Sequence, residues 1–131
     1  MTVLITGTFD VVHLGHIRLL QYAKSIDPYV LVAIDSDRRV KELKGSDRPF
    51  NGEMERHEFL KSLKCVDEVV LFDTTDQLES ICWLHQPIRI VGTDYKDKEI
   101  IGGKFCKNII YYERIPEYST TRILERNKEI K

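Results

Sequence analysis

The chain has 131 residues, 42% of them hydrophobic, which fits one domain with one core of ordinary size and makes a second independent domain improbable. Its 20 basic and 21 acidic residues nearly cancel, which gives no support for the long-range attraction used by non-specific nucleic-acid binders. Any anion site must therefore be local, and we expect no nucleic-acid partner.

The three cysteines are odd in number, widely spaced and without a C-x-x-C pair. This spacing argues against a disulfide framework or a thiolate zinc site and suits a reducing compartment. The first residues show no basic leader and no long apolar segment. We therefore expect a cytoplasmic protein that does not associate with membranes.

Short apolar strands and amphipathic helices alternate along the chain. Strands rich in β-branched or aromatic residues are predicted at 3–6, 29–34, 69–72, 88–91 and 108–112. Helices are predicted at 14–25, 53–64, 75–85 and 119–128, with Thr75 or Asp76 capping the third. This alternation predicts an α/β, Rossmann-like fold over residues 1–131, a single domain with about five parallel strands and helices on both faces.

The string G-T-F-D-V-V-H-L-G-H at 7–16 directly follows the first strand, and in such sheets ligands bind beyond the carboxyl ends of strands. Gly7 allows a tight turn with backbone close to a ligand, and the following helix start offers free N–H groups to phosphate. His13 and His16 are three residues apart on the first helical turn, so both imidazoles project toward that anion site. Gly15 removes a side chain where a nucleotide would approach.

Two imidazoles at this position can donate hydrogen bonds to phosphate oxygens as charge develops during displacement at phosphorus. A lone histidine is usually an ordinary helix residue, but the pair after a strand and a glycine turn favours the anion site. Zinc would lack a third ligand and the glutamate of an H-E-x-x-H pattern, so we predict no metal held directly by protein ligands.

This G-T-F-D-x-x-H-x-G-H string resembles the signature of the cytidylyltransferase-like nucleotidyltransferase superfamily, and the similarity runs from Val3 to about Ile123. The superfamily includes glycerol-3-phosphate cytidylyltransferase, archaeal FAD synthetase, phosphopantetheine adenylyltransferase and the adenylyltransferase domain of bacterial ADP-heptose synthesis. The resemblance implies transfer of a nucleoside monophosphate from a nucleoside triphosphate, bound with Mg2+, to a phosphorylated small molecule. It implies that the catalytic residues are His13, His16 and Lys44, and that Gly7, Thr8, Phe9 and Gly15 also contact the nucleotide.

The segment after the second strand carries further implied contacts. Lys44 would contact the triphosphate, and the implied acceptor contacts are Asp10, Asp37, Lys41 and Arg56, the last within an E-x-x-R element. Without the resemblance, lysines 41 and 44 would belong to a solvated basic turn, and Arg48 lies in the same predicted loop. Lys64 stands where some cytidylyltransferases carry an arginine, whose bidentate fork lysine cannot reproduce.

Two later blocks complete the resemblance. Gly92 and Asp94 follow the fourth strand, where the carboxylate could hold a base amino group or equally form a routine Asx turn. Three hydroxyl residues stand at a predicted helix start, which they would cap: Ser119, Thr120 and Thr121. In the superfamily such hydroxyls bind the triphosphate, and Arg114 precedes them by five residues.

These blocks point to different branches of the superfamily. The string G-T-D-Y-K-x-x-E-I-x-G at 92–102 is most similar to the heptose-phosphate adenylyltransferases, whereas Arg114 matches the glycerol-3-phosphate cytidylyltransferase pattern. Both ATP and CTP stay open as the nucleotide, and sugar 1-phosphate, glycerol 3-phosphate and flavin mononucleotide stay open as the acceptor. The preferred prediction is a heptose-1-phosphate-like adenylyltransferase. A homodimer is expected from the family's habit.

Two other classes compete with this interpretation. A nucleotide-binding module without turnover would keep the fold but would need no paired histidines. A class I tRNA-synthetase fragment shares the H-x-G-H chemistry but needs a longer chain and a later lysine-rich loop, and the sequence shows neither.

Overall fold

The computed structural model describes residues 1–113, in which strands and helices alternate. The elements are β1 Val3–Gly7, α1 Leu14–Ile26, β2 Val30–Asp35, α2 Asp37–Lys44, α3 Glu53–Lys61, β3 Glu68–Phe72, α4 Thr75–His85, β4 Ile88–Gly92 and β5 Asn108–Tyr112, with 3-10 turns at Thr93–Tyr95 and Gly103–Phe105. All five predicted strands are present, each within one residue of its predicted bounds. The predicted helix at 119–128 lies outside the described residues.

The five strands form one parallel sheet in the order β3-β2-β1-β4-β5. The central β1 and β2 are apolar on both faces, and Val3, Leu4 and the run from Val30 to Ile34 have no measurable exposure. Such two-sided burial is the reason these strands are continuous apolar runs rather than alternating patterns. The Rossmann-like prediction is confirmed.

Helices cover both faces of the sheet. On one face α1 contributes Leu20 and Ala23 and α3 contributes Leu60, which pack against strand residues that include Val3, Ile5, Val30, Val32 and Ile34. On the opposite face α4 packs Leu78 and Cys82 against Leu4, Leu31, Ala33 and Phe72. The alternation of side chains along each strand divides the core between these two layers.

The structure corrects the predicted loop after β2, because residues Asp37–Lys44 form the helix α2. Ser36 caps it by accepting a hydrogen bond from the Arg39 N–H at 3.2 Å, and lysines in its last turn suit the dipole. Val40 is the buried side chain of this helix. One apolar contact is too little to produce a helical hydrophobic period, which is why the sequence pattern missed it.

Helix ends differ slightly from the predicted ones. The cap of α4 is Thr74, whose hydroxyl accepts from the Gln77 N–H at 3.2 Å, rather than Thr75 or Asp76. Helix α3 ends at Lys61, three residues before the predicted end, because Ser62 closes the last turn. Such shifts are the normal uncertainty of helix boundaries.

The order of the strands reverses at β1, with β2 and β3 on one side and β4 and β5 on the other. Ile5 pairs with Ile90, so the carboxyl ends of β1 and β4 are neighbours. A crevice opens at such a reversal because the connections leave in opposite directions. Both predicted glycine turns, at Gly7 and Gly92, end the strands that flank it.

Candidate active site

The turn after β1 is shaped by Phe9, whose φ of 51° lies in the left-handed region. Phe9 is 5% exposed, and its ring lies over Gly7, where a Cβ atom would come within 3.1 Å of the ring. A side chain at position 7 would therefore require the Phe9 ring to shift. Its predicted contact with a nucleotide, like that of Phe9, stays a prediction.

The two histidines form a reciprocal cap at the start of α1. His13 is the N-cap residue, with extended backbone, rather than part of the first helical turn as the sequence suggested. Its Nδ1 accepts a hydrogen bond from the Gly15 N–H at 3.1 Å, while Nδ1 of His16 accepts from the His13 N–H at 3.3 Å. This is the geometry of a capping box, built here from imidazoles instead of the usual hydroxyl and carboxylate.

The cap brings the two imidazoles together and fixes their tautomers. Their ring centroids are 3.9 Å apart with planes inclined by 28°, and the His16 ring also lies 4.8 Å from Phe9. Because each Nδ1 accepts a hydrogen bond, it is deprotonated in the neutral ring, which places the proton on Nε2. Each imidazole thus carries an N–H donor on the side away from the backbone, at the helix terminus where an anion would bind.

Burial lowers the pKa of His13 below its ordinary value of 6.5. The same neutral form is required by the cap, because a protonated Nδ1 could no longer accept the Gly15 N–H. The neutral Nε2–H donor is therefore available throughout the neutral pH range.

This pKa shift predicts a pH dependence of stability. Between the lowered pKa of His13 and 6.5 the unfolded chain binds more protons than the folded one, so the free energy of unfolding should rise with pH across that window. Urea unfolding of the wild type and of His13→Asn from about pH 5 to about pH 7.5 measures it. The asparagine variant keeps a cap and should lose this part of the slope; parallel curves for the two proteins would contradict the assignment.

Asp10 holds the loop that precedes α3. Its carboxylate is almost fully buried and accepts hydrogen bonds from Nε of Arg48 at 3.1 Å and from the backbone N–H groups of Phe50 at 2.8 Å and Asn51 at 2.7 Å. The Asn51 amide returns a bond to the Asp10 carbonyl at 2.6 Å. The structure thus gives Asp10 a positioning role, and its predicted acceptor contact stays a prediction.

Arg56 joins the carboxyl ends of β1 and β2. Its side chain is fully buried, and Nη1 donates to the carbonyls of Thr8 at 2.9 Å and Asp35 at 2.8 Å. Nε donates to the Asn51 carbonyl at 3.0 Å and Nη2 to the Asp37 carboxylate at 2.8 Å. The guanidinium therefore fixes the turn after β1 relative to α2 and the loop before α3, and the acceptor contact implied for Arg56 stays a prediction.

The remaining predicted residues of α2 lie at its exposed end. Lys41 donates to the Arg48 carbonyl at 3.1 Å, and Lys44 is the last residue of the helix, with an exposed side chain. Their proposed contacts with phosphate stay predictions. The helix does show that the two lysines share one rigid support, not a flexible turn.

Arg39 lies beside the turn after β1 and was not among the residues predicted from the sequence. Its Nε donates to the Asp35 carboxylate at 2.9 Å, its guanidinium lies 5.1 Å over the Phe72 ring, and its side chain is 15% exposed. The other Asp35 oxygen lies 3.5 Å from the Thr8 hydroxyl, so this arginine stands beside the turn after β1. An aspartate four residues before an arginine was the available signal.

Gly92 and Asp94 lie at the carboxyl end of β4, as predicted, with Asp94 exposed in the 3-10 turn Thr93–Tyr95. Within residues 1–113, predicted residues therefore follow β1, β2 and β4, the strands next to the reversal of strand order. The other four predicted nucleotide contacts lie outside the described residues: Arg114, Ser119, Thr120 and Thr121.

Residues 1–113 contain no group of three or more histidine, cysteine, aspartate or glutamate side chains arranged to hold a metal ion. In the same part of the chain, no helix combines the length and the apolar character that crossing a bilayer would require.

Comparison with known proteins identifies the family. The family model described as Cytidylyltransferase-like matches residues 4–126. "Bifunctional protein HldE" of a Nitratiruptor species is 41% identical over 120 residues, which are 92% of this chain and 26% of that protein. The protein of the same name from Helicobacter pylori (strain Shi470) is 43% identical over 122 residues, 93% of this chain and 26% of that protein.

The chain thus spans about a quarter of the length of these relatives. A solved structure, a lipopolysaccharide core biosynthesis protein from Thermoplasma volcanium GSS1, matches with a TM-score of 0.72 and 25% identity, over 88% of this chain and 98% of that one. The chain belongs to the cytidylyltransferase-like family of nucleotidyltransferases, and the resemblance inferred from the H-x-G-H string is confirmed.

Proposed function

We propose that this chain transfers a nucleoside monophosphate, with AMP from ATP as the preferred case, to a sugar 1-phosphate of the heptose type and releases pyrophosphate. The observation that carries the proposal is the reciprocal cap of His13 and His16, which presents two Nε2–H donors at the strand-order reversal. A phosphate oxygen of the acceptor attacks the α-phosphorus of the nucleotide, a P–O bond forms, and the bond to pyrophosphate breaks.

In this reaction the histidines donate hydrogen bonds to the α-phosphate oxygens, where charge increases in the transition state. Lys44 would neutralise triphosphate charge from the end of α2, together with Arg114 and the hydroxyls at 119–121. Mg2+ is expected to accompany the triphosphate, since the nearby carboxylates of Asp10 and Asp35 are bonded to arginines and offer it little. No protein nucleophile is required, because positioning and electrostatics supply the acceleration.

The sugar acceptor is supported by two independent likenesses. The string at 92–102 is similar to the heptose-phosphate adenylyltransferases, and the matching solved structure is named for lipopolysaccharide core biosynthesis. Glycerol-3-phosphate cytidylyltransferase is the second candidate, favoured by Arg114.

A matrix of substrates tests the proposal. Pyrophosphate release is measured with ATP or CTP, each with Mg2+ and one of three acceptors: a heptose 1-phosphate, glycerol 3-phosphate or flavin mononucleotide. We expect turnover with ATP and the heptose 1-phosphate. Turnover restricted to CTP and glycerol 3-phosphate would replace the proposal by the second candidate, and nucleotide binding with no turnover in any pair would favour the binding module. Light scattering of the same sample tests the expected homodimer.

Arg39 lies on the β2 side of the strand-order reversal, beside the turn after β1 that leads to the histidines. Among residues 1–113, nothing accepts a hydrogen bond from the terminal nitrogens of Arg39, while Asp35 and Phe72 hold the guanidinium in place. We propose that this fork binds the acceptor phosphate.

Replacing Arg39 by glutamine should therefore raise the KM for the acceptor by about 10- to 100-fold, the cost of a charge-assisted bond, and leave the KM for the nucleotide within about twofold. Arg39→Lys should restore only part of the loss, because lysine keeps the charge without the fork. The neighbouring Arg38, which is bonded to Asp73 and Glu42, provides the matched control Arg38→Gln. Equal changes in both KM values would place Arg39 outside the acceptor site.

A further inference from the structure

A buried arginine in β4 lacks a carboxylate partner in the part of the chain that the structure describes. Arg89 is 4% exposed, and its hydrogen bonds run to neutral groups: Nη1 donates to the Ile101 carbonyl at 2.8 Å and Nη2 to the Thr6 hydroxyl at 3.2 Å. Its Nε is buried without any partner. A guanidinium in this position is costly unless an anion is near, since burial removes the water that would stabilise its charge.

Two cysteines lie beside this cation. Cys82 on α4 is fully buried, with its Sγ 3.5 Å from Nη1 of Arg89. Cys106 follows the 3-10 turn Gly103–Phe105, is only partly buried, and has its Sγ 3.5 Å from the Gly102 carbonyl. The third cysteine, Cys65, belongs to the opposite face of the sheet.

Gly102 allows the two sulfur atoms to share this space. Its φ of 76° lies in the left-handed region, and a Cβ atom there would lie 2.7 Å from Sγ and 2.9 Å from Cβ of Cys82. Only glycine therefore lets the segment between β4 and β5 pack directly on Cys82, which brings Cys106 to the same site. Cys106 packs against the buried cluster that contains Cys82, which places the two thiols side by side.

The electrostatics of the pair are unequal. The hydrogen bond from Cys82 has the largest effect on the pKa of Cys106 and lowers it; burial opposes this effect, and the charge of Arg89 lowers the pKa further. The same hydrogen bond and burial raise the pKa of Cys82. The partly exposed Cys106 is thus the sulfur with the lowered pKa, and Cys82 lies buried behind it, which is the arrangement of a reactive cysteine with a resolving neighbour.

We infer that Cys106 is a modification site, a nucleophilic thiol that hydroperoxides oxidise and that Cys82 then captures as a disulfide. In the first step the Cys106 sulfur attacks a peroxide oxygen, an S–O bond forms, the O–O bond breaks, and hydroxide leaves. In the second, the Cys82 sulfur attacks the sulfenic sulfur, an S–S bond forms, and the hydroxyl departs as water with the Cys82 proton. Two thiols are oxidised by two electrons and hydrogen peroxide is reduced to water.

The position of the pair gives the modification a consequence. A Cys82–Cys106 bond ties the segment between β4 and β5 to α4, and that segment directly follows Gly92 and contains Asp94, both at the proposed nucleotide site. Oxidation would therefore restrict the part of the site that the base is expected to contact.

Alkylation tests the nucleophile without reference to turnover. The folded protein is treated with limiting iodoacetamide at neutral pH and digested after glutamates, which separates the three cysteines into different peptides. Cys106 should react about tenfold faster than Cys65, and Cys82→Ala should slow Cys106 by a similar factor without changing Cys65. Equal rates at Cys106 and Cys65 in the folded protein would overturn the proposal. Rates that differ in the folded protein and become equal in urea would support it, because the difference then depends on the fold.

Oxidation tests the second step in the same protein. Hydrogen peroxide should produce a linked Cys82–Cys106 peptide that has lost two hydrogens and separates on reduction, in the wild type and equally in Cys65→Ser. Cys106→Ser should abolish it. Oxidation of Cys106 that stops at sulfenic or sulfinic acid, or disulfides that join only separate chains, would refute capture by Cys82.

Discussion

His16→Gln should lower kcat by about 100- to 1,000-fold, the usual loss when one donor to a developing oxyanion is removed, while the melting temperature stays within about 2 °C of wild type. The reason lies in the cap. Glutamine at the third helical position is the usual capping-box residue and can still accept the His13 N–H, but it lacks the Nε2–H donor. His13→Asn follows the same logic at the N-cap position.

These variants separate chemistry from folding, which alanine cannot do. His16→Ala should lose turnover as well, but it also removes one half of the cap, at a cost of about 1 kcal/mol. His85→Gln, at the end of α4 and remote from the motif, is the matched control and should keep wild-type kinetics. A wild-type rate in His16→Gln or His16→Ala would refute the proposed role of His16 whatever its effect on stability.

Arg56→Met should produce the largest loss of stability, about 3 kcal/mol in the free energy of unfolding or roughly 10 °C in melting temperature. Methionine fills much of the volume but leaves the carbonyls of Thr8, Asp35 and Asn51 without their donor. Each unsatisfied buried acceptor costs about 1 kcal/mol or more. Urea unfolding measures the loss.

Arg38→Met is the comparison for this experiment. Arg38 also bonds two carboxylates and a carbonyl, but its side chain is 57% exposed, so water replaces the lost partners and the loss of stability should be much smaller than in Arg56→Met. A loss of similar size in the two variants would show that the burial of Arg56 is not what makes it important.

The fold was predictable because its signals are local and repeated. The central strands are apolar runs buried on both faces, and α1 and α4 carry a helical period, so pattern alone located them. Helix α2 has Val40 as its buried contact and was missed, since a period cannot be read from one residue. The histidine pair was found from its spacing, but the direction of its Nδ1 atoms depends on backbone geometry that no spacing encodes.

Other features required the folded chain for a physical reason. The carboxylate of Asp10 looks like a site residue in the motif, and only its three donors, from residues 48 to 51, show that it holds a loop. Arg39 and Arg89 gain their interest from what surrounds them: one is held by Asp35 beside the turn after β1, and the other is buried against two cysteines. The contacts of Asp10 with residues 48 to 51 and of Arg89 with Thr6 join residues far apart in sequence, and such contacts leave no mark in a single sequence.

The imidazole cap also allows backbone amides at the start of α1 to report whether a nucleotide is bound. The amide hydrogens of His13 and Gly15 are both bonded to imidazole nitrogens, so they exchange with solvent only when a ring swings away. A phosphate that engages Nε2 holds the rings in place and should slow hydrogen exchange at these two amides in particular. Nucleotide binding could then be followed residue by residue in a protein that has no acceptor to react with.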